Sequence, residues 1–119
     1  MVVRAALLFA QNALWRGTGS RTAGRALVHA LGSPEEDVRT IAGMLLVQGG
    51  ERAKPLLEEA MRRRESLTMV LSVLASLEAP EYEPTLRTFA QDPDPKVADA
   101  AREGLRLLHA PAVRAPQGG

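Results

Sequence analysis

The sequence predicts an all-α fold of paired helices, and three observations carry that expectation. Alanine and leucine dominate the 45% of the chain that is hydrophobic, and only four residues are aromatic: Phe9, Trp15, Tyr82 and Phe89. Such a composition suits helices packed closely through small side chains better than it suits sheets. Apolar residues recur at spacings of three and four between prolines and glycines, which is one face of a helix bounded by breakers. The chain also repeats itself. Pro34, Glu35, Glu36, Asp37 and Val38 align with Pro93, Asp94, Pro95, Lys96 and Val97 at a shift of 59, with Ala42 on Ala101 and Leu46 on Leu105. Leu27 and Ala30 recur as Leu57 and Ala60, then as Leu86 and Phe89, and Pro55 recurs as Pro84, so the unit is about 30 residues long and appears three to four times.

Each element follows from local chemistry. Residues 2–15 form the first helix, with Gly17, Thr18, Gly19 and Ser20 as a joint before a second helix over Ala23–Leu31. Ser33 is placed as N-cap with Pro34 at the first helical position, and Glu35, Glu36 and Asp37 lie in the positive first turn. Val38, Ile41, Ala42, Leu45 and Leu46 supply the buried face, and Gly49 and Gly50 stop the helix. The next helix spans Glu51 to Arg63, with Pro55 tolerated in the first turn and Leu56, Leu57, Ala60 and Met61 buried. Ser66–Leu77 is apolar almost all round, which makes it the centre of the core. After Ala79 and Pro80, a helix over Glu81–Ala90 precedes a last one in which Val97, Ala100, Ala101, Leu105 and Leu108 face inward.

These units imply one domain over residues 1–109: a divergent pair (1–32), two repeats (33–64 and 65–91) and a capping helix (92–109). Residues 110–119 hold two prolines, two glycines and little to bury, so a disordered tail is expected.

Charge is uneven although the net is only +1. Residues 1–34 carry Arg4, Arg16, Arg21 and Arg25 and no acid, whereas the remainder holds eleven basic and fourteen acidic residues. An organelle leader, an anion contact and an ordinary basic helix pair all fit that end, and the continued apolar spacing favours the third. The best apolar run there, Ala5–Ala10, is six residues long, short for a secretory signal. No stretch approaches the roughly 20 apolar residues of a membrane span, and the expected location is cytoplasmic.

The residues Asp37, Val38, Arg39, Ala42, Leu46, Gly49, Gly50 and Pro55 to Ala60, with Asp92 to Val97, Ala100, Ala101 and Leu105, resemble HEAT repeats of the short kind also found in phycobilin-lyase-like proteins. The resemblance covers roughly residues 21 to 108. It implies a right-handed α-solenoid of about three to four two-helix units. It further implies a polar ladder between neighbouring units from Asp37 and Arg39, left incomplete where Ala98 replaces the arginine of the last unit.

A search for catalytic groups yields little. His29 and His109 lack a second histidine at helical metal-site spacing, and Glu58 and Glu59 diverge by about 100° around a helix, so they form no carboxylate pair. The Gly17–Ser20 joint lacks the preceding strand and the Lys-Ser or Lys-Thr of a phosphate loop, and no serine stands in a Gly-x-Ser-x-Gly setting. The absence of cysteine excludes a disulfide, a thiolate metal site and an iron–sulfur cluster. No enzyme, metal or cofactor is predicted.

The expected function is a protein–protein interaction scaffold, because the second helices of stacked pairs line a continuous concave surface. Its candidate contacts are Arg25 and His29, then Glu58, Glu59 and Arg62, then Arg87, Thr88 and Gln91. Trp15 and Tyr82 are candidate rim anchors, Trp15 alternatively a cover for the first core layer. The alternative is nucleic-acid binding through Arg62, Arg63 and Arg64 with Arg21 and Arg25. Glu58, Glu59 and Glu65 dilute that stripe, and no aromatics interleave with it for base stacking. A role as accessory to a bilin lyase-type enzyme is implied by the resemblance alone.

Overall fold

A computed structural model describes residues 2–109, with side chains from residue 6 onward. Among them lie seven α-helices and no strand: α1 (Val2–Thr18), α2 (Arg21–Ala30), α3 (Glu36–Gly49), α4 (Lys54–Arg63), α5 (Leu67–Ser76), α6 (Glu83–Phe89) and α7 (Pro95–His109). Single 3₁₀ turns over Gly50–Ala53 and Pro80–Tyr82 lead into α4 and α6. The all-α expectation holds; the expected tail over 110–119 lies outside the described residues.

Local chemistry sets the helix ends, in places differently from the sequence reading. Gly17 and Thr18 belong to the last turn of α1, so the joint is only Gly19, at φ 73°, and Ser20. Ser20 is the N-cap of α2, its Oγ accepting the Ala23 N–H at 3.2 Å. Ser33, by contrast, does not cap α3. Its Oγ accepts the Glu35 N–H two residues on at 3.1 Å, a local turn that competes with capping, and α3 starts at Glu36 with Glu35 in the N-cap position. Arg39 closes the same turn by donating from Nη1 to the Ser33 carbonyl at 2.7 Å, within its own unit. Gly50, at φ 58°, ends α3 as expected. The helix expected from Glu51 opens as the 3₁₀ turn, and α4 closes on Arg64 in the left-handed region at φ 54°.

Helices pack mainly on those one or two positions away along the chain: α1 on α2 and α3, α2 on α3 and α4, α5 on α3, α4 and α7, and α6 on α7. The predicted apolar faces are the buried ones. Leu27, Leu45, Leu46, Leu57, Val70, Leu71, Leu74 and Leu86 are fully enclosed, and no polar or charged residue is buried among the described residues. Helix α5 is the centre, burying Leu67, Val70, Leu71, Val73, Leu74 and Ala75. On α7, Val97 and Ala101 are buried as expected, Ala100, Leu105 and Leu108 partly so, and Ala98 and Gly104 are buried as well. A Cβ at Gly104 would meet Leu86 at 3.3 Å and Ala75 at 3.4 Å, so α7 sits close against both neighbours.

Neither Trp15 nor Tyr82 is a rim anchor. Trp15 is 4% exposed and Tyr82 7%. The Trp15 indole is flanked by two glycines. A Cβ at Gly24 would stand 3.0 Å from its Cδ1, and one at Gly49 would stand 2.8 Å from its Cζ3. The ring thereby locks α1 against α2 and α3 at backbone distance, and Gly49 is a packing residue rather than a stop signal.

Three substitutions test this packing. Gly49→Ala should destabilise by about 1–3 kcal/mol, because the indole it meets is enclosed. Gly17→Ala, helical and with nothing within 4 Å, should be neutral or stabilising by up to about 1 kcal/mol. Equal shifts of the urea midpoint in the two variants would refute the indole slot. Leu71→Ala should cost about 2–5 kcal/mol, and an unchanged melting midpoint would remove α5 from the centre of the core.

Candidate functional site

The second helices α2, α4 and α6 carry most of the candidate contact residues. Between α2 and α4, Arg25 makes a two-pronged contact with Glu59, Nε to Oε1 at 3.2 Å and Nη2 to Oε2 at 3.3 Å, and Arg63 approaches Oε2 at 3.9 Å. His29, on the exposed side of α2, stands 3.8 Å from Glu65. These groups surround a groove of about 200 Å³ floored by Val28, Leu56 and Ala60.

Between α4 and the α6 unit, the buried Tyr82 donates its hydroxyl proton to Glu58 Oε2 at 2.6 Å. Glu58, Met61, Arg62, Tyr82, Thr85 and Phe89 line a second groove of about 380 Å³. The fold thus gathers Arg25, His29 and Glu59 in one groove and Glu58 and Arg62 in the next. It keeps the other three candidates apart: Arg87 pairs with Glu83 on its own helix, the Thr88 hydroxyl donates to the Pro84 carbonyl at 3.1 Å, and Gln91 is exposed beyond α6.

Two links across helices had no local signature in the sequence. The Lys54 ammonium lies between Glu51, at 2.6 Å, and Glu81, and 6.0 Å from the centre of the Tyr82 ring. Arg64 donates from Nη2 to both oxygens of Asp92 at 3.0 Å, tying the end of α4 to the turn before α7. The i+3 spacing of Glu51 and Lys54 is readable from sequence; Glu81 and Asp92 are brought in by the fold.

The contacts hold the charged states. The Arg25 hydrogen bonds keep Glu59 below the ordinary carboxylate range, and Lys54 does the same for Glu81. Asp92 is held low first by the Asp94 N–H and then by Arg64. The hydrogen bonds that Lys54 donates to Glu51 and Glu81 raise its own pKa, while burial, reinforced by the hydrogen bond to Glu58, raises the Tyr82 hydroxyl. Among the described residues, no group of three or more His, Asp or Glu is placed to hold a metal ion, and no helix is long and apolar enough to cross a membrane.

What this arrangement offers chemically is a pair of amphipathic grooves in which Arg25, Glu59 and Glu58 are already oriented by partners. Comparison of the chain with protein-family models, curated proteins and solved structures finds no match to any of them.

The depressed carboxylates set a pH dependence. Glu59, Glu81, Asp92 and Glu103 bind protons less readily in the folded chain than in the unfolded one. Their contribution is therefore complete above the unfolded carboxylate range near about pH 4 and is lost as pH falls through the folded values below it. The urea midpoint should drop between pH 5 and pH 2 by more in the native chain than in an Arg25→Gln, Arg64→Gln double variant. Parallel profiles for the two proteins would show that the cross-helix pairs contribute nothing to this dependence.

Proposed function

We propose that the chain is a non-catalytic protein–protein interaction scaffold. On this reading it is a short right-handed α-solenoid of HEAT-like two-helix units, with a partner docking along α2, α4 and α6. The observation that carries the reading is the pair of adjacent grooves between these helices, lined by apolar floors and by Arg25, His29, Glu59, Glu58 and Arg62. The packing order supports the repeat reading, since α1, α3, α5 and α7 contact one another in succession and α2 lies beside α4. A nucleic-acid surface on the same helices has less support. Arg25, Arg63 and Arg64 are engaged by Glu59 and Asp92, which leaves less unbalanced positive charge for a phosphate backbone.

The test is site-specific photocrosslinking in cells from position 62 on α4 and, as the contrasting face, from the exposed position 72 on α5. A discrete protein adduct is expected from position 62 alone, and it should disappear when Glu58→Lys is added while helix content by circular dichroism is kept. Adducts from both faces alike, or adducts removed by nuclease, would count against the scaffold reading.

A further inference from the structure

We infer that the groove between the α1–α2 joint and the 3₁₀ turn before α4 is an oxyanion site that takes a phosphate monoester through Arg16, Arg21 and Arg52. The groove encloses about 450 Å³, is floored by Trp15, Pro55 and Leu56, and has no carboxylate among its lining residues. Acids close in sequence or space are committed elsewhere: Glu51 pairs with Lys54 at 2.6 Å, and Glu59 with Arg25 at 3.2 Å. Arg21 adds only the smallest of the influences that lower Glu59.

Among the described residues Arg16, Arg21 and Arg52, like Arg39, Arg62 and Lys96, lack an ion pair, but only the first three line one groove together. Arg25, Lys54, Arg63, Arg64, Arg87, Arg102 and Arg106 each lie within ion-pair distance of an acid. Arg52 instead donates from Nη1 to the Arg16 carbonyl at the end of α1. That bond orients the guanidinium over the negative end of the helix and leaves the rest of its donor fork unused. The opposite wall is the start of α2, a ten-residue helix with no acid in its first turn, so its positive end adds to the field of the arginines.

Chemistry selects the ligand. Guanidinium groups match a tetrahedral oxyanion through paired N–H donors, and a dianion meets the concentrated charge better than a monoanion does. A phosphodiester track would need further unpaired cations along the same side, yet the next one, Arg25, is held by Glu59. The site therefore fits one compact monoester rather than a polyanion. It does not depend on the scaffold reading.

The experiment titrates the full chain with inorganic phosphate, with O-phosphoserine and with a single-stranded oligonucleotide. It follows the fluorescence of Trp15, the one tryptophan in the sequence and part of the groove floor. Saturable binding of a monoester or of phosphate is expected, strengthening as pH rises through about 6 for O-phosphoserine, where its second phosphate proton is lost, and at higher pH for inorganic phosphate. Arg21→Gln and Arg52→Gln should each weaken it about tenfold, the loss of one charge-assisted hydrogen bond, while Lys96→Gln on α7 leaves it unchanged. Arg21→Gln removes no bond within the fold and serves should Arg52→Gln disturb α1. Tighter binding of phosphoserine assigns a monoester carried on a larger molecule, and equal binding assigns free phosphate as sufficient. No saturable response, equal weakening by Lys96→Gln, or binding of the oligonucleotide alone would overturn the site.

Discussion

Close approach of helices at residues without a side chain is the constraint on which the rest of this structure depends. Trp15 fills a slot whose walls are Gly24 on α2 and Gly49 on α3, and at the other end Gly104 admits Leu86 and Ala75 against the backbone of α7. Fully buried Ala42, Ala53 and Ala101 do the same in between. With few aromatics the chain cannot fill wide gaps between helices, so it narrows the gaps instead, and leucine, valine and alanine make up most of the core. The cation groove and the α2–α4 groove are both by-products of that geometry. Their shared wall at Leu56 stands where it does because α2 is seated on Trp15 through Gly24.

Most of the fold was legible because burial follows period. The three- and four-residue spacing named Leu56, Leu57, Ala60 and Met61 as the inner face of α4, and all four are buried. The near-continuous apolar run placed α5 at the centre for the same reason. Errors came where one residue type serves two physical ends. Glycine permits both a left-handed cap and a close backbone contact, and only the folded structure separates Gly50, which turns the chain, from Gly49, which receives the indole. Serine likewise bonds either a helix amide or a nearer one, so Ser20 caps and Ser33 turns. An isolated aromatic in a polar neighbourhood reads as exposed, yet Tyr82 is enclosed because Glu58 satisfies its hydroxyl from the neighbouring helix.

The candidate site was legible only in part, because its charges meet between elements far apart in the sequence. Arg25 and Glu59 are 34 residues apart, Lys54 and Glu81 are 27, and Arg64 and Asp92 are 28. No helical spacing rule connects such pairs. Their separations nevertheless lie near the recurrence of about 30 residues seen in the apolar positions. Arg87, which pairs with Glu83 four residues earlier, belongs instead to the local class and lines neither of the two grooves.

The contacts also explain why the two kinds of arginine should behave differently. A surface ion pair is worth little in stability, about 0.2–1 kcal/mol, but it fixes where its charge points and removes it from competition for an outside ligand. Arg25, Arg63 and Arg64 are oriented in that way, which suits them to the rim of an interface whose shape is set beforehand. Arg52 is oriented by a carbonyl, which holds the guanidinium without neutralising it. Between them these arrangements separate arginines held by carboxylates from one held by a carbonyl. The acid-free run that ends at Pro34 reads accordingly: no ion pair holds Arg16 or Arg21, and Glu51 and Glu59 are engaged by Lys54 and Arg25.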